Sequence, residues 1–223
     1  MQLFEIELEV MALHKKILSA CADSGMAAGL YQGIHLYTSQ VRLHPDIVLL
    51  GYNPRWRYPP INQQPLCIVD QYSVREQRML NRKTFMSALF ESLHTYDVME
   101  ALFDAVCINC YPFIADTPGH IEELLLGLKE NVDPDLERKL SDMLYALIGA
   151  FHPRLIICKT RRAFDHLAGC FAVQEVICSD LGTRLYTVLD DVTVVFFPRS
   201  ESGHFCAPDE IDQVLAKLVI SAI

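Results

Sequence analysis

Apolar side chains recur along this chain in two rhythms, and the change from one to the other marks out its elements. Between residues 2 and 22, Leu3, Ile6, Val10, Leu13 and Ile17 stand three or four apart, which predicts an amphipathic helix packed on the outside of a sheet. Asp46-Ile47-Val48-Leu49-Leu50-Gly51 is instead a short continuous apolar run closed by Gly and Pro, the pattern of a strand buried on both faces that feeds a loop. Ala105 to Cys110, Arg154 to Cys158 and Val192 to Phe197 have the same form. Helical spacing fills the intervals. Ser73 to His94 carries Met79, Met86, Leu89, Phe90 and Leu93 on one face, helices open near Thr117-Pro118, at Asp133-Pro134 and at Thr160, and Ile211, Val214, Leu215, Leu218 and Val219 mark a closing helix. Residues 173 to 188 read as a hairpin turning at Gly182, and the proline-rich stretch from Asn53 to Gln71 reads as a long irregular loop.

Strands and helices alternating in this way predict an α/β fold in one domain over residues 1–223, with a central, mainly parallel four-stranded sheet between two helical layers. In such folds ligands bind beyond the carboxyl ends of the strands. Those ends carry Asn53, Asn109, Lys159 with Thr160, and Arg199 with Ser200.

Composition narrows the picture. No apolar run is long enough to cross a membrane, and Glu5, Glu7 and Glu9 stand where a secretory signal needs basic residues, so a soluble, cytoplasmic protein is expected. The eight cysteines sit in apolar settings such as Ile156-Ile157-Cys158 and Val176-Ile177-Cys178 and read as reduced core thiols. Cys107 and Cys110 form a Cys-x-x-Cys pair, but residues three apart on a strand face opposite ways, and no second pair accompanies them, so neither metal nor cofactor is expected. The net charge of −9 gives no global attraction to nucleic acid. Any such contact falls to local basic groups: Arg55 and Arg57; Lys159, Arg161 and Arg162; and Arg199.

The strand ends lack paired catalytic carboxylates, a Ser-His-Asp order, a Walker loop and a Gly-x-Gly-x-x-Gly segment. What they hold is two asparagines, near aromatic groups and a few cations. An amide offers both donors and an acceptor, which suits recognition of a planar ligand such as a nucleobase.

Gly51-Tyr52-Asn53-Pro54 resembles the Gly-x-Asn-Pro motif that ends the first strand in the uracil-DNA glycosylase superfamily, most closely the single-strand-selective monofunctional uracil glycosylases. Ile108-Asn109-Cys110-Tyr111-Pro112-Phe113, leading into Thr117-Pro118-Gly119, is similar to that group's second motif, and the resemblance spans roughly residues 46 to 205. It implies that Asn53 positions the attacking water and that Asn109 reads a flipped base, with Tyr52, Arg55 and Tyr58 around it. In the fourth motif this chain departs: where the family has His-Pro-Ser it has Phe197-Pro198-Arg199-Ser200-Glu201-Ser202-Gly203-His204. Arg199, Ser200 and Ser202 then become the candidates to grip DNA, with Lys159 and Arg161, and His204 the candidate to replace the missing histidine. The lost histidine, and Arg55 where the family keeps a small residue, point to a modified pyrimidine such as a hydroxymethylated or glycosylated cytosine. The expected protein is a DNA glycosylase, acting as a monomer without a cofactor. A catalytically diverged nucleic-acid-binding module and a nucleoside or nucleotide hydrolase remain as alternatives.

Overall fold

The computed structural model describes residues 2–24, 30–54, 66–67, 74–75, 85–115, 117–200 and 204–220. Over these the chain forms, in order, α1 (Leu3–Ser24), β1 (Gly33–Ile34), β2 (Ile47–Gly51), β3 (Leu66–Cys67), α2 (Phe85–Glu91), α3 (Tyr96–Phe103), β4 (Val106–Asn109), α4 (Pro118–Asn131) and α5 (Leu136–Phe151). Then follow β5 (Leu155–Cys158), α6 (Arg161–Cys170), β6 (Ile177–Cys178), β7 (Arg184–Val188), β8 (Val192–Phe196) and α7 (Pro208–Ile220).

The four apolar runs are the strands β4, β2, β5 and β8, adjacent in that order and mutually parallel. Their side chains alternate between two cores. Val48, Leu50, Val106, Ile108, Ile156 and Val194 face one, shared with α1, α4, α5 and α6. Ile47, Leu49, Cys107, Leu155, Ile157 and Val195 face the other, shared with α2, α3 and α7. Continuous apolarity is therefore what a strand covered on both faces requires. Cys107 and Cys110 fall in opposite cores, as extended backbone demands.

The sheet has six strands, not the expected four. The hairpin near Gly182 forms as β6 and β7, and β7 then pairs antiparallel with β8, so the hairpin extends the sheet, which is mixed. Gly182 has φ +89°, the left-handed region where a side chain is strained, and its N–H donates to Ser179 O. Cys178, read from its apolar neighbours as a core thiol, lies exposed on this outermost strand. At the opposite edge, residues 33–39 run along β4: Tyr37 bridges Ile108, Thr38 N–H donates to Cys107 O, and Cys107 N–H donates to the buried Ser39 Oγ at 2.8 Å. That segment satisfies the edge groups that β4 would otherwise leave unpaired.

Two expected starts hold closely: Thr117 and Thr160 are N-caps, their hydroxyls accepting from His120 N–H and Ala163 N–H at 3.2 Å. The helix expected to open at Asp133-Pro134 begins at Leu136. Of the helix expected over Ser73 to His94, the described part is Val74–Arg75 and α2, which ends at Glu91. A separate helix, α3, then follows. Its start is held from far away: Asp212 on α7 accepts from His94 N–H, Thr95 N–H and Thr95 Oγ1. Among the described residues no helix is long and apolar enough to cross a membrane.

Candidate functional site

Parallel register aligns Gly51 at the end of β2 with Asn109 at the end of β4. Pairing then continues into the loops, with Cys110 N–H donating to Gly51 O at 2.9 Å, Tyr111 N–H to Tyr52 O at 3.0 Å and Ala115 N–H to Pro54 O at 3.2 Å. The two motif segments are thus zipped side by side beyond the sheet. Asn53 is fastened into this zip by its amide nitrogen, which donates to Pro54 O at 3.0 Å and Ala115 O at 2.9 Å. Both N–H groups are consumed, so what Asn53 presents is its carbonyl oxygen, an acceptor.

Asn109 does the converse. It is 6% exposed, its Nδ2 is buried without a hydrogen-bond partner, and its Oδ1 lies against Gly51. A Cβ on Gly51 would stand 2.2 Å from that oxygen. Gly51 is therefore required by close approach and not by a special φ. An unsatisfied buried N–H group costs about 1–3 kcal/mol, and a buried amide of this kind is a donor waiting for an acceptor.

From the other side of the strand ends Arg199, which follows β8, reaches across to β5. Its Nη2 donates to Lys159 O at 3.3 Å and its guanidinium stands 5.1 Å from the Phe85 ring centre. Burial pulls its pKa down from the ordinary arginine value, although a guanidinium stays charged at any physiological pH. In the strand order β4-β2-β5-β8, Asn109 at the end of β4 lies against Gly51 of β2, and Arg199 after β8 reaches the end of β5.

Residues 198–200 run antiparallel to residues 204–206. Arg199 bridges Phe205, Ser200 N–H donates to His204 O at 2.8 Å, and Cys206 N–H donates to Pro198 O at 3.0 Å. His204 contributes its backbone carbonyl here, and the residue is exposed. Lys159 N–H donates to Leu50 O, which fixes its backbone beside β2. Arg161 is exposed and paired with Asp165 at 3.3 Å, and Arg162 is paired with Glu122 at 2.9 Å. Arg55, Tyr58 and Ser202, together with Trp56, Arg57 and Tyr72, lie outside the described residues.

Tyr52 turns into the first core. Its ring meets Tyr111 edge-on at 5.3 Å and His166 at 6.3 Å, and Tyr111 and His166 stand 4.9 Å apart. His166 Nε2 is 3.6 Å from Cys170 Sγ, and desolvation lowers the pKa of this imidazole, opposed by the charge of Glu137. This buttress behind the Gly-x-Asn-Pro segment was not foreseen. Its members come from three separate parts of the sequence, and the one local signal was the i, i+4 spacing of His166 and Cys170 on α6. Among the described residues no three His, Cys, Asp or Glu side chains are grouped to hold a metal ion.

No protein-family model matches this chain, and no curated protein is significantly similar to it.

Proposed function

We propose that this protein is a monofunctional DNA glycosylase with a uracil-DNA glycosylase-like fold, of the single-strand-selective type. Its substrate would be uracil or, more specifically, a modified pyrimidine. The observation that carries the reading is the complementary pair of amides on zipped neighbouring loops: Asn53 with its donors spent and an acceptor to offer, Asn109 with a buried donor lacking a partner.

Glycosidic hydrolysis passes through an oxocarbenium-like sugar and an anionic leaving base, so it needs oriented dipoles more than a strong base. Asn53 Oδ1 accepts a hydrogen bond from the attacking water and orients it toward the sugar. The Asn109 amide donates to an acceptor on the base as negative charge builds there. Arg199 and Ser200 contact phosphates flanking a base drawn out of its stack, with Lys159 and Arg161 alongside, and His204 stands in for the family's histidine. No step calls for a cofactor.

A nucleoside or nucleotide hydrolase is the second reading, favoured by the ion pairs that neutralise Arg161 and Arg162 and by the net charge of −9. Binding to single-stranded DNA that weakens steeply with salt supports the first reading, and salt-independent cleavage of free nucleosides the second. The direct test is mass-spectrometric detection of free base released from oligonucleotides bearing uracil and hydroxymethylated or glycosylated cytosine. Release of a modified base supports the proposal in its specific form. Release of uracil alone refutes the modified-base substrate, and release of nothing refutes the glycosylase.

A further inference from the structure

Helix α1 is apolar on two opposite faces. Ile6, Val10 and Ile17 are buried in the first core, with Leu3 and Leu13 packed against it. On the other side Phe4 is 65% exposed, Leu8 49%, Met11 45% and Leu18 36%. Positions 4, 8, 11, 15 and 18 repeat at alternating intervals of four and three, and at 100° per residue they fall within a stripe roughly 80° wide. Lys15, exposed, is the one polar member. This is the spacing that a two-helix coiled-coil seam uses, and scattered single surface apolars do not make such a pattern.

The charges beside the seam select the occupant. Glu5, Glu9 and Lys16 are all exposed, and the same angular count puts them on one flank of the stripe, the acids in the first half of the helix and the base in the second. Two such helices related by a twofold axis and lying antiparallel bring like flanks together. The acidic half of each then faces the basic half of the other. Parallel copies would set this flank against the opposite one and lose that match. A membrane surface is a poorer match, because Glu5 and Glu9 border the stripe and the chain carries a net charge of −9, both unfavourable to anionic lipid.

We infer that the protein self-associates as a twofold dimer through antiparallel pairing of the outer face of α1, with Phe4, Leu8, Met11 and Leu18 in the seam. This departs from the monomer expected from sequence, and it is independent of the glycosylase reading, since none of the residues assigned to that site lies on α1. The pairing covers both apolar stripes at once.

Sedimentation equilibrium of the full chain at low ionic strength tests it. Wild type is expected to dimerise. Leu8→Glu, which changes an exposed residue and leaves the melting temperature in place, is expected to weaken the dimer about thirtyfold or more, the scale of one lost interface anchor. Lys15→Glu/Lys16→Glu and Glu5→Lys/Glu9→Lys chains are each expected to be monomeric alone and to form a heterodimer when mixed. A wild type that stays monomeric at every soluble concentration overturns the inference. So does a dimer indifferent to Leu8→Glu, a mixture of the charge variants that fails to associate, or binding to anionic vesicles in place of self-association.

Discussion

Replacing Gly51 with alanine puts a methyl carbon 2.2 Å from Asn109 Oδ1 and 3.4 Å from its Cγ. Gly51 is not among the positive-φ glycines, so alanine brings no backbone strain and the collision stands alone. Asn109 is 94% buried, being 6% exposed, and has little room to retreat. Either its amide rotates away or β2 and β4 shift apart, and overpacking of this kind costs about 1–3 kcal/mol. For a chain of this length that is a fall in melting temperature of roughly 2–12 °C. Urea or thermal unfolding of Gly51→Ala, Asn109→Ala and the double variant isolates the contact. With the amide removed the methyl keeps only an ordinary contact with Ile108 O at 3.8 Å, so the double variant should be no less stable than Asn109→Ala, and the two changes should be coupled by about 1 kcal/mol or more. Additive effects within about 0.5 kcal/mol would refute the claim that Gly51 is kept open for the Asn109 amide.

Asn109→Ala alone should cost no more than about 1 kcal/mol, because the residue it removes holds an unsatisfied donor, and a loss above about 2 kcal/mol in urea unfolding would mean the amide is already paired. Asn53→Ala removes two hydrogen bonds to backbone carbonyls and should destabilise by roughly 1–3 kcal/mol, whereas unchanged stability would refute the fastening of Asn53 to Pro54 and Ala115. Desolvation lowers the folded-state pKa of His166 from 6.5, so the unfolded chain takes up the proton first and stability rises with pH through this window. The His166 contribution is full above pH 6.5 and is lost as pH falls toward the folded-state pKa. His166→Phe should flatten that part of a stability–pH profile relative to wild type, and superimposable profiles would contradict the burial of the ring. Asp212→Ala leaves His94 N–H, Thr95 N–H and Thr95 Oγ1 without their acceptor and should cost about 1–3 kcal/mol, with the start of α3 losing amide-exchange protection first.

The central strands were legible because each is buried on both faces and therefore apolar at every position, a local signal that survives ignorance of its neighbours. Thr117 and Thr160 were legible as caps for the same reason, since a hydroxyl and the N–H it accepts from lie three residues apart. The extra strands were hidden by pairing: the residues near Gly182 showed a hairpin, but nothing local states that β7 would add to β8. Helix α3 was hidden because Asp212, more than a hundred residues away, caps it. At the strand ends the two asparagines stand out in the sequence, yet what orients each amide does not. That depends on the carbonyl of Ala115 and on the open face of Gly51, both set by how the two loops zip together. The outer stripe of α1 carries no separate sequence signal, because the inner stripe alone satisfies the pattern of an amphipathic helix.

In the proposed reaction Asn53 orients water while Asn109 reads the base. Single-turnover base release from a modified-pyrimidine oligonucleotide, followed by mass spectrometry alongside DNA binding, tests it most directly at a temperature where Asn53→Ala remains folded. Wild type is expected to release free base, Asn53→Ala to abolish release while still binding the DNA, and Asn109→Ala to lose discrimination between bases. Equal release by wild type and Asn53→Ala would contradict it.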